Sequence, residues 1–140
     1  MRRVTFSIFL LCFFYNVKAQ RLLSWAPEFP LDNSTLNITV DCTKGNQGLL
    51  NFEGGNSNNV YVHVGVITNL STGPGDWKYV KFTWGSTDPA AHATPLGSNK
   101  YQYNISNIRS FFGVPAGETI QKITIIFRNA TGSIIQVNSV

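Results

Sequence analysis

The chain has 140 residues, with 11 Lys and Arg against seven Asp and Glu, a formal charge of +4 at pH 7. A hydrophobic share of 43% excludes a disordered chain, and the length suits one domain around one core. Lys and Arg form no cluster, which excludes a nucleic-acid footprint.

Residues 1–19 read as a secretory signal peptide. Arg2 and Arg3 give a short positive start, residues 4–15 are almost wholly apolar, and Val17-Lys18-Ala19 forms a cleavage site before Gln20. The apolar run is too short for a permanent membrane span. Export is therefore expected, to the periplasm, the cell surface or the extracellular medium. Cys12 follows Leu11 rather than a small residue, which argues against lipidation. Arg2, Arg3 and Lys18 leave with the leader. That takes the 11 basic residues to eight against seven acids, a net charge near +1 that points to a neutral or weakly charged partner. Cys42 is then the single cysteine, so no intrachain disulfide can form. It continues the phase of Leu36, Ile38 and Val40, as a buried apolar residue would.

Residues 20–35 form an extended lead-in, because Pro27 and Pro30 hold their predecessors in β or polyproline conformations. Trp25-Ala26-Pro27 reads as a kinked edge strand. Residues 36–42 alternate as a strand, residues 44–48 as a turn and residues 54–59 as a second turn. Val60, Val62, Val64 and Val66 then occupy one strand face, with Tyr61 and His63 on the other. After a Gly/Pro/Ser/Asn-rich loop, residues 77–85 alternate again. Val80, Phe82 and Trp84 are expected toward the core, and Trp77, Tyr79, Lys81 and Thr83 away from it.

Residues 86–95 read as an irregular connection, and Tyr101, Tyr103 and Ile105 mark a further strand. Residues 107–119 form a longer connection with an apolar knot of Ile108, Phe111, Phe112 and Val114. The most β-branched run follows, residues 120–128, with Ile123, Ile125 and Phe127 on one side. A turn at residues 129–133 leads to a last strand from Ile134. No stretch has a helical period. Short strands with a turn every ten to fifteen residues predict an all-β, immunoglobulin-like antiparallel β-sandwich over residues 36–140, without the bridging disulfide and with its last strand incomplete.

Five strings carry a resemblance: ITVDCTKGNQGLLNF, VYVHVGVITNLST, WKYVKFTWG, LGSNKYQYNI and IRSFFGVPAGETIQKITIIFRNATG. Together they resemble the N-terminal module of secreted bacterial α-amylase-family, starch-degrading glycoside hydrolases, from about Ile38 to Gly132. The resemblance implies an immunoglobulin-like sandwich ahead of a catalytic (β/α)8 barrel, assisting α-glucan binding or orienting the barrel. It transfers no site residue. The 140 residues stop short of such a barrel, so a fragment or a truncated reading frame of a larger enzyme is the expectation.

Carbohydrate recognition needs flat apolar ring faces with polar groups at their rim. Trp77 and Tyr79 are the leading candidates, with Tyr61, His63 and Lys81 beside them if the two runs pair. Trp77 packed on its loop and Tyr79 capping a sheet edge is the structural alternative. The seven acids (Glu28, Asp32, Asp41, Glu53, Asp76, Asp88 and Glu118) are dispersed, so no catalytic residue is expected. His63 and His92 lack a Ser or Cys partner and metal-site spacing, so neither metal nor cofactor is expected. Sequons at Asn33, Asn37, Asn69, Asn104 and Asn129 reflect an Asn- and Thr-rich surface in a bacterial setting. The expected function is a non-catalytic accessory module of an exported α-glucan-degrading enzyme; the alternative is a structural spacer without ligand.

Overall fold

A computed structural model describes residues 21–137. The signal peptide expected at residues 1–19 lies outside the described residues, as do residues 138–140. Seven strands form two antiparallel sheets. They are β1 (Leu23–Ala26), β2 (Leu36–Asp41), β3 (Val60–Thr68), β4 (Thr94–Gly97), β5 (Lys100–Ile105), β6 (Ile120–Asn129) and β7 (Ile135–Gln136). One sheet has the order β1-β2-β5-β4 and the other β3-β6-β7. Four strands ordered first, second, fifth, fourth against three ordered third, sixth, seventh is the arrangement of a constant-type immunoglobulin sandwich. The fold class read from the alternation is the fold observed.

The core follows from the period-2 pattern. Leu36, Ile38 and Val40 of β2 and Tyr101, Tyr103 and Ile105 of β5 face inward from one sheet. Val60, Val62, Val64 and Val66 of β3 meet them from the other, and all ten side chains are buried. The β3–β6 register sets Val62 opposite Phe127, Val64 opposite Ile125 and Val66 opposite Ile123, so both strands send one apolar row to the same side. Each fully buried valine contributes roughly 1.5–3 kcal/mol relative to exposure. Cys42 lies buried just past β2, in the role its phase predicts.

Trp25 and Ala26 lie in an edge strand: β1 pairs with β2 along its whole length, Leu23 opposite Val40 and Ala26 opposite Asn37. The connection before β6 departs from the sequence reading. Within the apolar knot, Ile108–Phe112 forms a short helix, α1. The Asn107 side chain accepts from the Ser110 N–H to cap it, and Gly113 closes it in the left-handed conformation. One turn is too short to show a helical period, and the burial of Ile108, Phe112 and Val114 holds it in place.

At the far end, β7 pairs with β6 at two positions, Gln136 opposite Phe127 and Ile135 opposite Arg128. The loop between β2 and β3 clamps its other side. The Asn46 side chain donates to the Ile135 carbonyl at 3.0 Å and accepts from the Val137 N–H at 2.9 Å. The buried amide of Gln136 accepts from the Leu49 N–H and donates to the Lys44 carbonyl.

Candidate functional site

The stretch after β3 lies along the free edge of that strand rather than forming a strand of its own. Backbone bonds join Val66 to Lys78 in both directions at 2.7 and 3.0 Å, and the Lys81 N–H donates to the Val64 carbonyl at 3.1 Å. Gly65 allows this close approach, since a Cβ there would meet the Lys78 carbonyl and a Val80 methyl, each at 3.1 Å. The alternation expected over residues 77–85 breaks at Tyr79, whose φ of +51° lies in the left-handed region. Beyond it Phe82 turns into the core, while Val80 stays 41% exposed and Trp84 44% exposed. The expectation that all three share the core face is corrected for Val80 and Trp84.

Trp84 instead joins a cluster on the outer face of β3. The His63 ring stacks against Trp77, centroids 5.8 Å apart at 26°, and meets Trp84 edge-on at 5.2 Å and 79°. Tyr61, two residues earlier on the same face, makes a T-shaped contact with His92 at 5.7 Å. Arg128, opposite Tyr61 in the β3–β6 register, lies 5.8 Å from the rings of both Tyr61 and Trp84. Trp84 reaches this place because Gly132, with φ +75°, presents no side chain: a Cβ there would lie 2.5 Å from the indole nitrogen.

Arg128 is wholly buried and pairs with no carboxylate among the described residues. Its guanidinium donates to three backbone carbonyls instead: Nη1 to Asn129 and Ala130, both at 2.9 Å, and Nη2 to Ser86 at 2.7 Å. Three carbonyls and two ring faces thus stand in for a counter-ion. Burial, followed by the Arg128 charge, lowers the His63 pKa below its ordinary 6.5, against a weaker opposing pull from the Phe82 backbone. The imidazole is therefore neutral at pH 7. Four buried polar atoms have no hydrogen-bond partner within the described residues: His63 Nδ1, Ser86 Oγ, Thr124 Oγ1 and Arg128 Nε.

Of the five residues singled out from the sequence, Tyr61, His63 and Trp77 come together. Tyr79 and Lys81 do not join them. The half-buried Tyr79 packs on the core, and its hydroxyl donates to the Glu118 carboxylate, which raises the phenol pKa. Lys81 extends over the Phe111 ring of α1, 5.5 Å from its centroid. Sequence reasoning missed Trp84, Arg128 and His92. Trp84 had the wrong phase assigned to it. Arg128 left one signal, a cation in phase with Ile126 next to the most apolar part of its run.

Six of the seven acids have local partners. Asp32 pairs with Arg109 at 2.8 Å, Asp41 accepts from Thr43, and Glu53 accepts from Ser57 and Asn59. Asp76 accepts from Thr72 and pairs with Lys78 at 3.0 Å; Asp88 caps the Ala90 N–H, and Glu118 accepts from Tyr79. These carboxylates brace turns and ion pairs. Among the described residues no group of three or more His, Cys, Asp or Glu is placed to hold a metal ion, and no helix is long and apolar enough to cross a membrane.

No protein-family model matches this sequence, and no curated protein matches it.

Proposed function

We propose that this chain is a non-catalytic accessory module of an exported α-glucan-degrading enzyme, binding the glucan weakly through the rings on the outer face of β3. One observation carries the reading: Trp77, His63 and Trp84 form a continuous ring cluster beside an edge stretch, and Trp84 keeps nearly half its surface open. Ring faces of this kind suit the C–H surface of a pyranose, and the Asp76–Lys78 ion pair next to Trp77 in the chain offers polar groups for hydroxyls. The net charge near +1 suits an uncharged polysaccharide. The bacterial resemblance supplies the class of parent enzyme and its catalytic barrel.

Affinity electrophoresis through amylopectin tests the reading. The chain is expected to be retarded, and Trp84→Ala and Trp77→Ala are each expected to migrate faster than the parent chain in that gel only. A second reading, a structural spacer that positions a neighbouring domain, draws on Tyr79 and Lys81, whose side chains serve Glu118 and Phe111. Unretarded migration of the parent chain, with both variants indistinguishable from it, leaves the spacer alone.

A further inference from the structure

The row of rings on the outer face of β3 does not end at Trp84. Trp77 stacks on His63, His63 meets Trp84, and the Arg128 guanidinium lies 5.8 Å from the rings of both Trp84 and Tyr61. Tyr61 in turn meets the His92 ring edge-on. At this end of the row lies an open recess of about 410 Å³, lined by Asn58, Tyr61, Thr87, Pro89 and His92.

The fold holds the wall of this recess in place. His92 pairs with Tyr61 as an antiparallel bridge, and the Ala93 N–H donates to the Val60 carbonyl at 2.9 Å. Ala91 and Ala93, on either side of His92, are both buried. The Tyr103 hydroxyl donates to the Ala90 carbonyl at 2.8 Å, and the Asp88 carboxylate accepts from the Ala90 N–H. The His92 Nε2 lies 2.7 Å from the Asn58 carbonyl. A carbonyl can only accept, so Nε2 carries a proton and, in the neutral ring, Nδ1 is left as an acceptor.

The polar ends that line the recess are uncommitted. The Tyr61 and Thr87 hydroxyls, the Asn58 side-chain amide and His92 Nδ1 make no hydrogen bond among the described residues. By contrast, the side chains of Asn59, Asn69, Asn99, Asn104 and Asn129 all bond within the fold. No charged side chain lines the recess; Asp88, beside Thr87 in the chain, is occupied by the Ala90 N–H. Uncharged donors and acceptors beside ring faces fit an uncharged, hydroxyl-rich ligand.

We propose that this recess is a second sugar subsite, where Tyr61 and His92 take a further part of the same α-glucan chain that rests on Trp77 and Trp84. The Thr87 and Tyr61 hydroxyls and the Asn58 amide bond to its hydroxyls. The inference rests on glucan binding at the ring cluster and adds its extent: the ligand is a run of several sugar units laid from Trp77 to His92, not a single sugar. Units tied into one chain reach the second subsite as an intramolecular event, so affinity rises with chain length.

The probes are maltoheptaose and maltose, titrated into the chain and followed by proton–nitrogen NMR. Maltoheptaose is expected to shift the backbone amide signals of Thr87 and His92 together with the Trp84 indole, and to bind about tenfold or more tightly than maltose. Tyr61→Phe and Thr87→Val each remove one hydroxyl that has no partner in the fold. Each is expected to keep the urea midpoint of the parent chain and to weaken maltoheptaose binding roughly three- to tenfold. If maltoheptaose shifts the Trp84 indole but not Thr87 and His92, and both variants bind like the parent, the second subsite falls and the ring platform stands. Equal affinity for maltose and maltoheptaose also overturns the extended site. Absence of any binding by the parent chain overturns both readings.

Discussion

Arg128 offers the sharpest test of how the outer face is held together. Two substitutions separate its charge from its geometry. Arg128→Met removes the charge and keeps much of the volume; Arg128→Lys keeps the charge and removes the fork. The parent guanidinium makes three charge-assisted bonds to the carbonyls of Ser86, Asn129 and Ala130, each contributing about 1.5–3 kcal/mol. Against that stands the cost of taking the cation out of water, several kcal/mol for a group with no exposed surface. Methionine loses the bonds but also relieves this burial cost, so a net loss of about 2–4 kcal/mol is expected, with the three carbonyls partly rehydrated in their loops. Lysine keeps the buried charge and, with one compact ammonium, cannot reach carbonyls that the fork meets through two separate nitrogens. It should therefore be at least as damaging as methionine. Urea unfolding of both variants, monitored by tryptophan fluorescence and analysed at constant m-value, measures the difference. A loss below about 1 kcal/mol for Arg128→Lys would refute the reasoning, because it would mean that the site needs a positive charge and not a planar fork.

Two further outcomes follow from titratable groups inside the fold. The folded-state pKa of His63 is lowered, so the unfolded chain binds the proton more tightly; stability is fully present above the unfolded value near 6.5 and falls as pH drops below it, down through the folded pKa. Denaturation midpoints at pH 7.5 and pH 5 should show this loss, and His63→Gln should flatten that part of the profile; an unchanged slope would place the titration elsewhere. Burial, reinforced by the neighbouring Asp41, pushes the Cys42 thiol up to about 12, so at pH 8 it should react with an aromatic disulfide at least ~100-fold more slowly in the folded chain than in urea, at a rate that tracks opening.

The fold was legible because its core obeys a rule that acts residue by residue. Strands half-buried in a sandwich alternate, and Val60, Val62, Val64 and Val66 of β3, the tyrosines of β5 and Ile123, Ile125 and Phe127 of β6 carry that alternation. What failed was confined to places where something non-local or conformational overrides the period. At Tyr79 a left-handed φ broke the phase and turned the residue assigned to the surface inward toward Glu118, while a turn closed by the Ser86 N–H on the Thr83 carbonyl carried Trp84, assigned to the core, into the outer cluster. A propensity argument does not place a tyrosine in that conformation, which costs a bulky residue on the order of 1 kcal/mol and persists because the bonds to Val64 and Val66 on either side fix the backbone.

Arg128 shows the opposite limit. Its phase was readable, but its burial was not, because the groups that bury it come from the Trp84–Ser86 turn, some forty residues earlier, and from the hairpin that follows it. A cation on the outer face of a sheet ordinarily stays in water. Here the loop that lies along β3 brings a carbonyl and an indole over the guanidinium, and Gly132 leaves the space that lets the indole in. Loop placement, guanidinium burial and the ring stack on His63 therefore form one coupled arrangement. If the proposed glucan binding holds, a ligand resting on Trp84 rests on a ring packed against Arg128, so the Arg128 variants should reduce amylopectin retardation even though that residue touches no solvent; retardation equal to that of the parent chain would separate the ring surface from the buried cation.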